Sequence, residues 1–170
     1  MFDLRPHQQT VIDTLQENRK GQIIVPTGGG KTLCMIKDAQ RQFNSCNWDV
    51  VLSDPDRKTI VIVAPRILLA HQLCEEFDDN ILVNPMLQYQ ILHVHSGDTH
   101  HESTTDSDTI SKWTKDNYRY NKLIFTTYHS LHRVQESDVV LDTIYFDEAH
   151  NAVQKNFIES VDYFALPFNS

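Results

Sequence analysis

The feature that most constrains this chain is a run of three glycines followed by a lysine and a threonine. Gly28–Gly30 precede Lys31 and Thr32, after an apolar, strand-like segment (residues 22–25) and before a segment with helical periodicity (residues 33–43). Consecutive glycines let several backbone N–H groups point into one concavity. A helix that begins there adds positive potential at the same place. The pattern predicts a phosphate-binding loop between a buried strand and a helix.

The polar residues of this run fit nucleotide chemistry. Lys31 would bring a full positive charge to the β- and γ-phosphates, and the Thr32 hydroxyl would be a ligand for Mg²⁺. The strict signature begins with glycine, whereas this chain has Val25 there. A plain glycine-rich turn is the alternative interpretation. The strand before the run and the helix after it favour nucleotide binding.

A second segment carries two acids at the end of an apolar strand. Residues 141–146 are largely apolar and lead directly into Asp147 and Glu148. In nucleoside triphosphatases, such a position suits a carboxylate that holds Mg²⁺ and a second one that polarises the attacking water. Asp147 would take the first role and Glu148 the second, as general base. Alone, an acidic pair at a strand end is more often solvated surface; together with the glycine run, the catalytic interpretation is favoured.

These stretches and four others resemble, in order, the motifs of one protein family. They are the Gln motif (Leu4–Gln8), motif I (Pro26–Thr32), motif Ia (Ala64–Leu73), two nucleic-acid-side motifs (His95–Gly97 and Thr126–Leu131) and motif II (Asp147–His150). The chain resembles the first RecA-like domain of superfamily 2 helicases and translocases. Within it, the chain is most similar to the DEAH-containing group of type III restriction-enzyme motors and of phage and viral DNA helicases. The resemblance covers nearly the whole sequence.

The resemblance implies roles for particular residues. The nucleotide site would comprise Arg5, Gln8, Pro26, Thr27, Gly28, Gly29, Gly30, Lys31, Thr32 and His150. Catalysis would depend on Lys31, Asp147 and Glu148, with Thr32 and Asp147 holding Mg²⁺. Nucleic acid would contact Arg66, Ser96, Gly97 and Thr127. On spacing alone, Gln8 could equally be a polar residue in the first turn of a helix, and Arg66 could equally be an ordinary surface charge.

Length and composition agree with this interpretation. The 170 residues suit one domain, and the alternation of apolar strands with amphipathic helices predicts an α/β fold. The family's fold is a RecA-like, three-layer P-loop NTPase sandwich with a mainly parallel sheet. We expect it to be incomplete at the C-terminus, because no motif III follows motif II and a second RecA-like domain is absent. Three scattered cysteines and no apolar leader favour a cytoplasmic protein (nuclear in a eukaryote), neither secreted nor in a membrane.

Charge limits the functions to be considered. The net charge of −8 argues against a protein that coats nucleic acid through a basic face. The favoured function is the ATP- and Mg²⁺-dependent motor of a DNA helicase or translocase, weak in ATP hydrolysis without its second domain. Two alternatives stay open: the motor part of a restriction endonuclease subunit, and a regulatory module that binds ATP without hydrolysing it. DNA is favoured over RNA as the nucleic-acid partner.

Three further expectations concern the middle of the chain. Residues 96–109 carry four acids and no lysine or arginine, which is typical of a solvated loop. Four histidines lie nearby (His93, His95, His100 and His101), but no cysteine or carboxylate spacing completes a tetrahedral set, so no metal site is predicted from them. Trp113, like Trp48, is expected to be a packing or a surface residue rather than a platform on which bases stack.

Overall fold

The structure, a computed structural model, describes residues 4–17, 30–46, 57–83, 85 and 88–148. These ranges contain five helices and five strands. The helices are α1 (Pro6–Glu17), α2 (Lys31–Asn44), α3 (Ile67–Asn80), α4 (Ser107–Asp116) and α5 (Leu131–Glu136). The strands are β1 (Thr59–Ala64), β2 (Tyr89–Val94), β3 (Glu102–Ser103), β4 (Asn121–Thr127) and β5 (Thr143–Phe146). The predicted strand at 22–25 lies outside the described residues.

The five strands form one parallel sheet in the order β3-β2-β4-β1-β5. Strands β1 and β4, at its centre, are buried along their whole length, as expected for strands covered on both faces. Ala64 pairs with Thr127 at the end of β1, and Val63 pairs with Phe146 at the end of β5. The carboxyl ends of these strands therefore meet along one edge.

Alternate residues of the strands face two separate cores. Ile60 and Ile62 of β1 pack with apolar residues of α2 and α3 on one side of the sheet. Val61 and Val63 pack with residues of α4 and α5 on the other side, where Trp113 is a buried packing residue and not a surface residue. The fold is thus the expected α/β sandwich of three layers. No helix of the described chain combines the length and the apolar character needed to cross a lipid bilayer.

A buried polar network fixes α2 against β5. The carboxylate of Asp38 is 2 % exposed and accepts hydrogen bonds from Arg41, Gln42 and the hydroxyl of Tyr145. Burial, and then the adjacent Asp38 charge, raises the pKa of Tyr145. Because α2 begins at Lys31 and β5 leads into Asp147, this network holds together the two elements that carry the candidate site.

Helix α2 begins at Lys31, where the glycine run predicted a helix N-terminus. One sequence expectation needs correction. The solvated loop expected at 96–109 is shorter, since it contains β3 and since α4 starts at Ser107. The reason is a helix cap: Asp106 accepts a hydrogen bond of 2.8 Å from the backbone N–H of Thr109. The Thr109 side chain and backbone lower the pKa of Asp106.

Candidate nucleotide site

Most of the predicted functional residues within the described ranges lie along the carboxyl edge of the sheet or at the start of α2. Arg66 follows β1, Ser96 and Gly97 follow β2, Thr127 ends β4, and Asp147 follows β5. In parallel α/β sheets, ligands bind at this edge, because loops and helix N-termini converge there. The site is therefore placed where the fold class puts ligands.

Lys31 connects the glycine run to the acidic pair. Its ammonium Nζ lies 2.9 Å from Oδ1 of Asp147 and 2.7 Å from Oε1 of Glu148. This lysine and the Asp147 carboxylate therefore lie at the same end of the sheet. Burial lowers the pKa of Lys31, but the hydrogen bonds and charges of Glu148 and Asp147 outweigh it, so that the pKa is raised. The lysine is thus fully charged at neutral pH.

The backbone of Asp147 is held on both sides. Its N–H donates to the carbonyl of Val63 at 2.8 Å, which extends the β1–β5 pairing by one residue. Its carbonyl accepts a hydrogen bond of 2.9 Å from the buried hydroxyl of Tyr128. Burial, followed by the charges of Asp147 and Glu148, raises the pKa of Tyr128, so the phenol remains a donor. These bonds fix the Asp147 carboxylate at the strand tip.

Glu148 adopts a conformation that is uncommon for its residue type. Its φ of 53° lies in the left-handed region, which costs a non-glycine residue on the order of 1–3 kcal/mol. This turn at the end of β5 places its side chain against Lys31 instead of continuing the strand. Strained backbone of this kind is concentrated at functional sites.

The start of α2 suits an anion. Gly30 is the N-cap, with φ 76°, and it offers no side-chain cap to the N–H groups of the first turn. The helix dipole adds positive potential at this end. A Cβ atom on Gly30 would lie 2.2 Å from Nε2 of Gln8. Gln8 is buried, and its Oε1 accepts a hydrogen bond of 2.9 Å from the backbone N–H of Arg5. Gln8, which was predicted to belong to the nucleotide site, thus packs directly on Gly30.

The acidic pair also fits a divalent cation. Oδ1 of Asp147 is buried and, within the described chain, carries no hydrogen bond of good geometry; its near neighbour is the Lys31 ammonium. With one lysine and two carboxylates, this cluster has an excess of negative charge. Oxygen ligands of this type are those that Mg²⁺ prefers. Thr32, the other predicted ligand, is half-buried in the first turn of α2.

The residues predicted to contact nucleic acid differ in accessibility. Arg66 and Ser96 are exposed, Gly97 is half-buried, and Thr127 is 3 % exposed, so its hydroxyl does not reach the surface in this conformation. A Cβ atom on Gly97 would lie 2.6 Å from Cγ2 of Ile67, so a larger residue would collide with the start of α3. Arg5 is exposed beside α1.

Some predicted residues cannot be placed, and others were missed. Pro26, Thr27, Gly28, Gly29 and His150 lie outside the described residues. The support that Tyr128 gives to Asp147 was not predicted, because an apolar-looking aromatic residue gives no sign of a partner 19 positions away. His71, which lies beside two of the predicted histidines, was also missed.

Comparison with known proteins identifies a family that matches nearly the whole chain. Residues 1–168 match the family model described as "Type III restriction enzyme, res subunit". The chain belongs to this family, whose domain is helicase-like and part of restriction-enzyme motors. No curated protein sequence is similar enough to count as a match.

Two solved structures have the same fold. One is a nuclease-deletion mutant of the type ISP restriction-modification enzyme LlaGI in complex with a DNA substrate mimic, with TM-score 0.72 and 23% identity. The other is the ATP-dependent type ISP restriction-modification enzyme LlaBIII bound to DNA, with TM-score 0.68 and 20% identity. The match to the LlaGI structure covers 92% of this chain and 16% of the LlaGI chain. The match to the LlaBIII structure covers 96% of this chain and 12% of the LlaBIII chain. The likeness establishes a RecA-like α/β fold.

Proposed function

We propose that this chain is the ATP-binding motor domain of a DNA translocase or helicase. The observation that carries the proposal is the position of the Lys31 ammonium, within 3 Å of the carboxylates of both Asp147 and Glu148. Such a cluster beside a glycine-capped helix N-terminus is what a magnesium-bound triphosphate requires. Family membership supports a motor of the restriction-enzyme type.

The residues divide the chemistry between them. Lys31 would leave the carboxylates and neutralise the β- and γ-phosphates, while the first-turn N–H groups of α2 orient them. Asp147 and Thr32 would hold Mg²⁺, which supplies charge stabilisation to the transferring phosphoryl group. Once Lys31 has moved, Glu148 could accept a proton from the attacking water as general base. Gln8 packs against Gly30. It would therefore place the Gln motif, which would contact the adenine base, next to the phosphate site.

The nucleic-acid track is proposed along the same edge. Arg66 and Ser96 are exposed there, and the solved structures of similar fold are complexes with DNA or a DNA mimic. With a net charge of −8, the chain alone would bind DNA weakly. A second RecA-like domain would complete both the track and the ATPase site. An arginine finger from that second domain would stabilise the transition state of ATP hydrolysis, an effect of about 10³–10⁵ in rate.

ATP hydrolysis under single-turnover conditions tests this proposal. The wild-type chain should bind Mg·ATP and hydrolyse it slowly, and added DNA should accelerate hydrolysis when the second domain is supplied. Glu148→Gln should keep nucleotide affinity and abolish hydrolysis, because it removes the base but not the phosphate ligands. Asp142→Asn, which alters an acid remote from the strand tip, is the matched control. Normal hydrolysis by Glu148→Gln would refute the assignment of the base.

The regulatory alternative gives a different result in the same assay. A module that binds ATP without turnover would show equal affinity in the wild type and Glu148→Gln, and no DNA-dependent hydrolysis even with the second domain present. The restriction-enzyme alternative concerns the remainder of a longer protein, and it shares the motor chemistry proposed here.

A further inference from the structure

Three histidines, distinct from the nucleotide site, meet between α3 and β2. His71 lies on α3, His93 on β2, and His95 one residue beyond β2. Their ring centroids are 5.0–5.3 Å apart. One ring nitrogen from each residue can be chosen so that all three lie within 4.8 Å of one another. We call this group the histidine cluster; His93 and His95 are 1 % and 2 % exposed.

Hydrogen bonds fix the proton positions in two of the rings. The backbone N–H of Gly97 donates to Nδ1 of His95 at 3.1 Å, so that nitrogen carries no proton. The neutral ring must then be protonated at Nε2, which lies 3.0 Å from Nδ1 of His93 and donates to it. His93 in turn carries its proton on Nε2. Burial, then neighbouring imidazoles, lowers the pKa of His93 to about 3 and also lowers the pKa of His95, so both rings are neutral.

This arrangement leaves two buried nitrogens without partners. In the described chain, Nε2 of His93 and Nε2 of His71 are buried and make no hydrogen bond. An unpaired buried polar group costs about 1–3 kcal/mol. Packing alone would be served better by apolar side chains at these positions. The cluster is therefore costly in free energy, and packing does not account for it.

We propose that the histidine cluster binds one divalent transition-metal ion of the class that favours imidazole, such as Zn²⁺ or Co²⁺. Neutral buried imidazoles are the preferred nitrogen ligands of these ions, and three of them leave a fourth position for water. A tetrahedral ion with metal–nitrogen bonds of about 2.0–2.1 Å separates its ligands by about 3.3 Å. The His93–His95 nitrogens already lie 3.0 Å apart. Small rotations of the His71 side chain would complete the site.

Metal binding must change the tautomer of His95. Whichever nitrogen of His93 becomes a ligand, Nε2 of His95 can no longer donate a proton towards that ring. The proton on Nε2 therefore moves to Nδ1 of His95, with no net gain or loss of protons. Two N–H groups, those of Gly97 and His95, then face each other, and their hydrogen bond is lost. Filling the site thus releases the Ser96–Gly97 turn from His95.

The backbone of the Ser96–Gly97 turn has little room to rearrange locally. Gly97 sits so close to Ile67 that even a methyl group would overlap it. Release of its N–H should therefore displace the turn as a unit, including the exposed Ser96. If the proposed nucleic-acid track is correct, metal binding would alter that track. This effect on the track is the one part of the proposal that rests on the proposed function.

Metal titration of the intact chain tests the proposal without nucleotide or DNA. Protein stripped with a chelator is titrated with Co²⁺, followed by visible absorption, and with Zn²⁺ in competition with a chromogenic chelator. We expect one equivalent per chain. His71→Gln and His95→Gln should weaken binding at least tenfold. His100→Gln, which changes an exposed histidine outside the cluster, should leave it unchanged.

Two results would overturn the proposal. One is binding by His71→Gln that equals that of the wild type and the His100→Gln control, which would indicate adventitious binding to exposed histidines. The other is a folded wild-type chain, verified by circular dichroism, that takes up less than one equivalent. His71 is half-buried on a helix, so the His71→Gln protein should remain folded. It can therefore be tested even if substitutions at the buried His93 unfold the protein. For the coupling, Zn²⁺ should shift the ¹H–¹⁵N resonance of Gly97; an unmoved resonance at full occupancy would refute it.

Discussion

Replacement of Gly30 by alanine separates two reasons for a glycine at the start of α2. The first is backbone strain, because φ is 76° and an alanine in the left-handed region costs about 1–2 kcal/mol. The second is overlap, because the new Cβ would lie 2.2 Å from Nε2 of Gln8. Displacing the Gln8 amide would break its hydrogen bond with the N–H of Arg5, worth about 1 kcal/mol. We expect Gly30→Ala to lower the free energy of unfolding by about 2–3 kcal/mol.

A double-mutant cycle resolves the two contributions. Urea-induced unfolding, followed by circular dichroism, is measured for Gly30→Ala, Gln8→Ala and the combination. In the double variant the overlap is already gone, so its cost should be less than the sum of the single costs by about 1 kcal/mol. The strain remains. Additive costs, or a Gly30→Ala protein as stable as the wild type, would refute this account of the contact.

Gly97 provides the matched control, since its φ is not positive and its neighbour is aliphatic. The Cβ of Gly97→Ala would lie 2.6 Å from Cγ2 of Ile67. Overlap of this kind costs about 1–3 kcal/mol in packed regions. The additional change Ile67→Ala should recover most of that loss for Gly97→Ala and none of it for Gly30→Ala. Recovery in both backgrounds would mean that Ile67 acts through general loosening of the fold.

Three other predictions concern buried groups. Burial lowers the pKa of Lys122 to about 8, so the unfolded chain binds more protons between pH 8 and about 10.4, and stability rises with pH in that window. Lys122→Met should therefore be more stable than the wild type by up to about 3 kcal/mol at pH 7. Urea titrations should show that this difference in unfolding free energy shrinks at pH 10. A difference that does not change with pH would contradict the prediction. Tyr128→Phe removes the hydrogen bond to the Asp147 carbonyl, so it should lower the free energy of unfolding by about 1 kcal/mol. It should also weaken Mg·ATP binding, which calorimetry measures. If neither quantity changes, Tyr128 does not support Asp147. Trp113→Ala should cost about 3–5 kcal/mol in thermal or urea unfolding, and a smaller loss than 1 kcal/mol would argue against its place in the core.

The fold was largely predictable because its central strands contain continuous apolar runs. β1 (Thr59–Ala64) is such a run, and a largely β-branched segment of this kind permits few alternatives to a buried strand. Helix ends were less predictable. The start of α4 depends on one aspartate cap inside an acidic stretch, and such a cap is not visible in average composition.

The central contact of the candidate site was also predictable, because parallel strands bring their carboxyl ends to one edge. Its finer geometry was not. The packing of Gln8 on Gly30 and the left-handed turn at Glu148 depend on tertiary contacts with no periodic signature. The histidine cluster was missed for the same reason: His71 is 22 residues before His93 and joins it only when α3 packs on β2.

Binding of Mg·ATP to paired variants of Lys31 and Asp147 is the most direct test of the central claim. These two residues are proposed to bind the same magnesium triphosphate. Calorimetry should therefore show at least a tenfold loss of affinity for Lys31→Met and for Asp147→Asn, and a double variant little weaker than either one. Removal of Mg²⁺ with a chelator should weaken ATP binding in the wild type but not in Asp147→Asn. Wild-type affinity for Mg·ATP in Lys31→Met, in a chain that remains folded, would contradict the account.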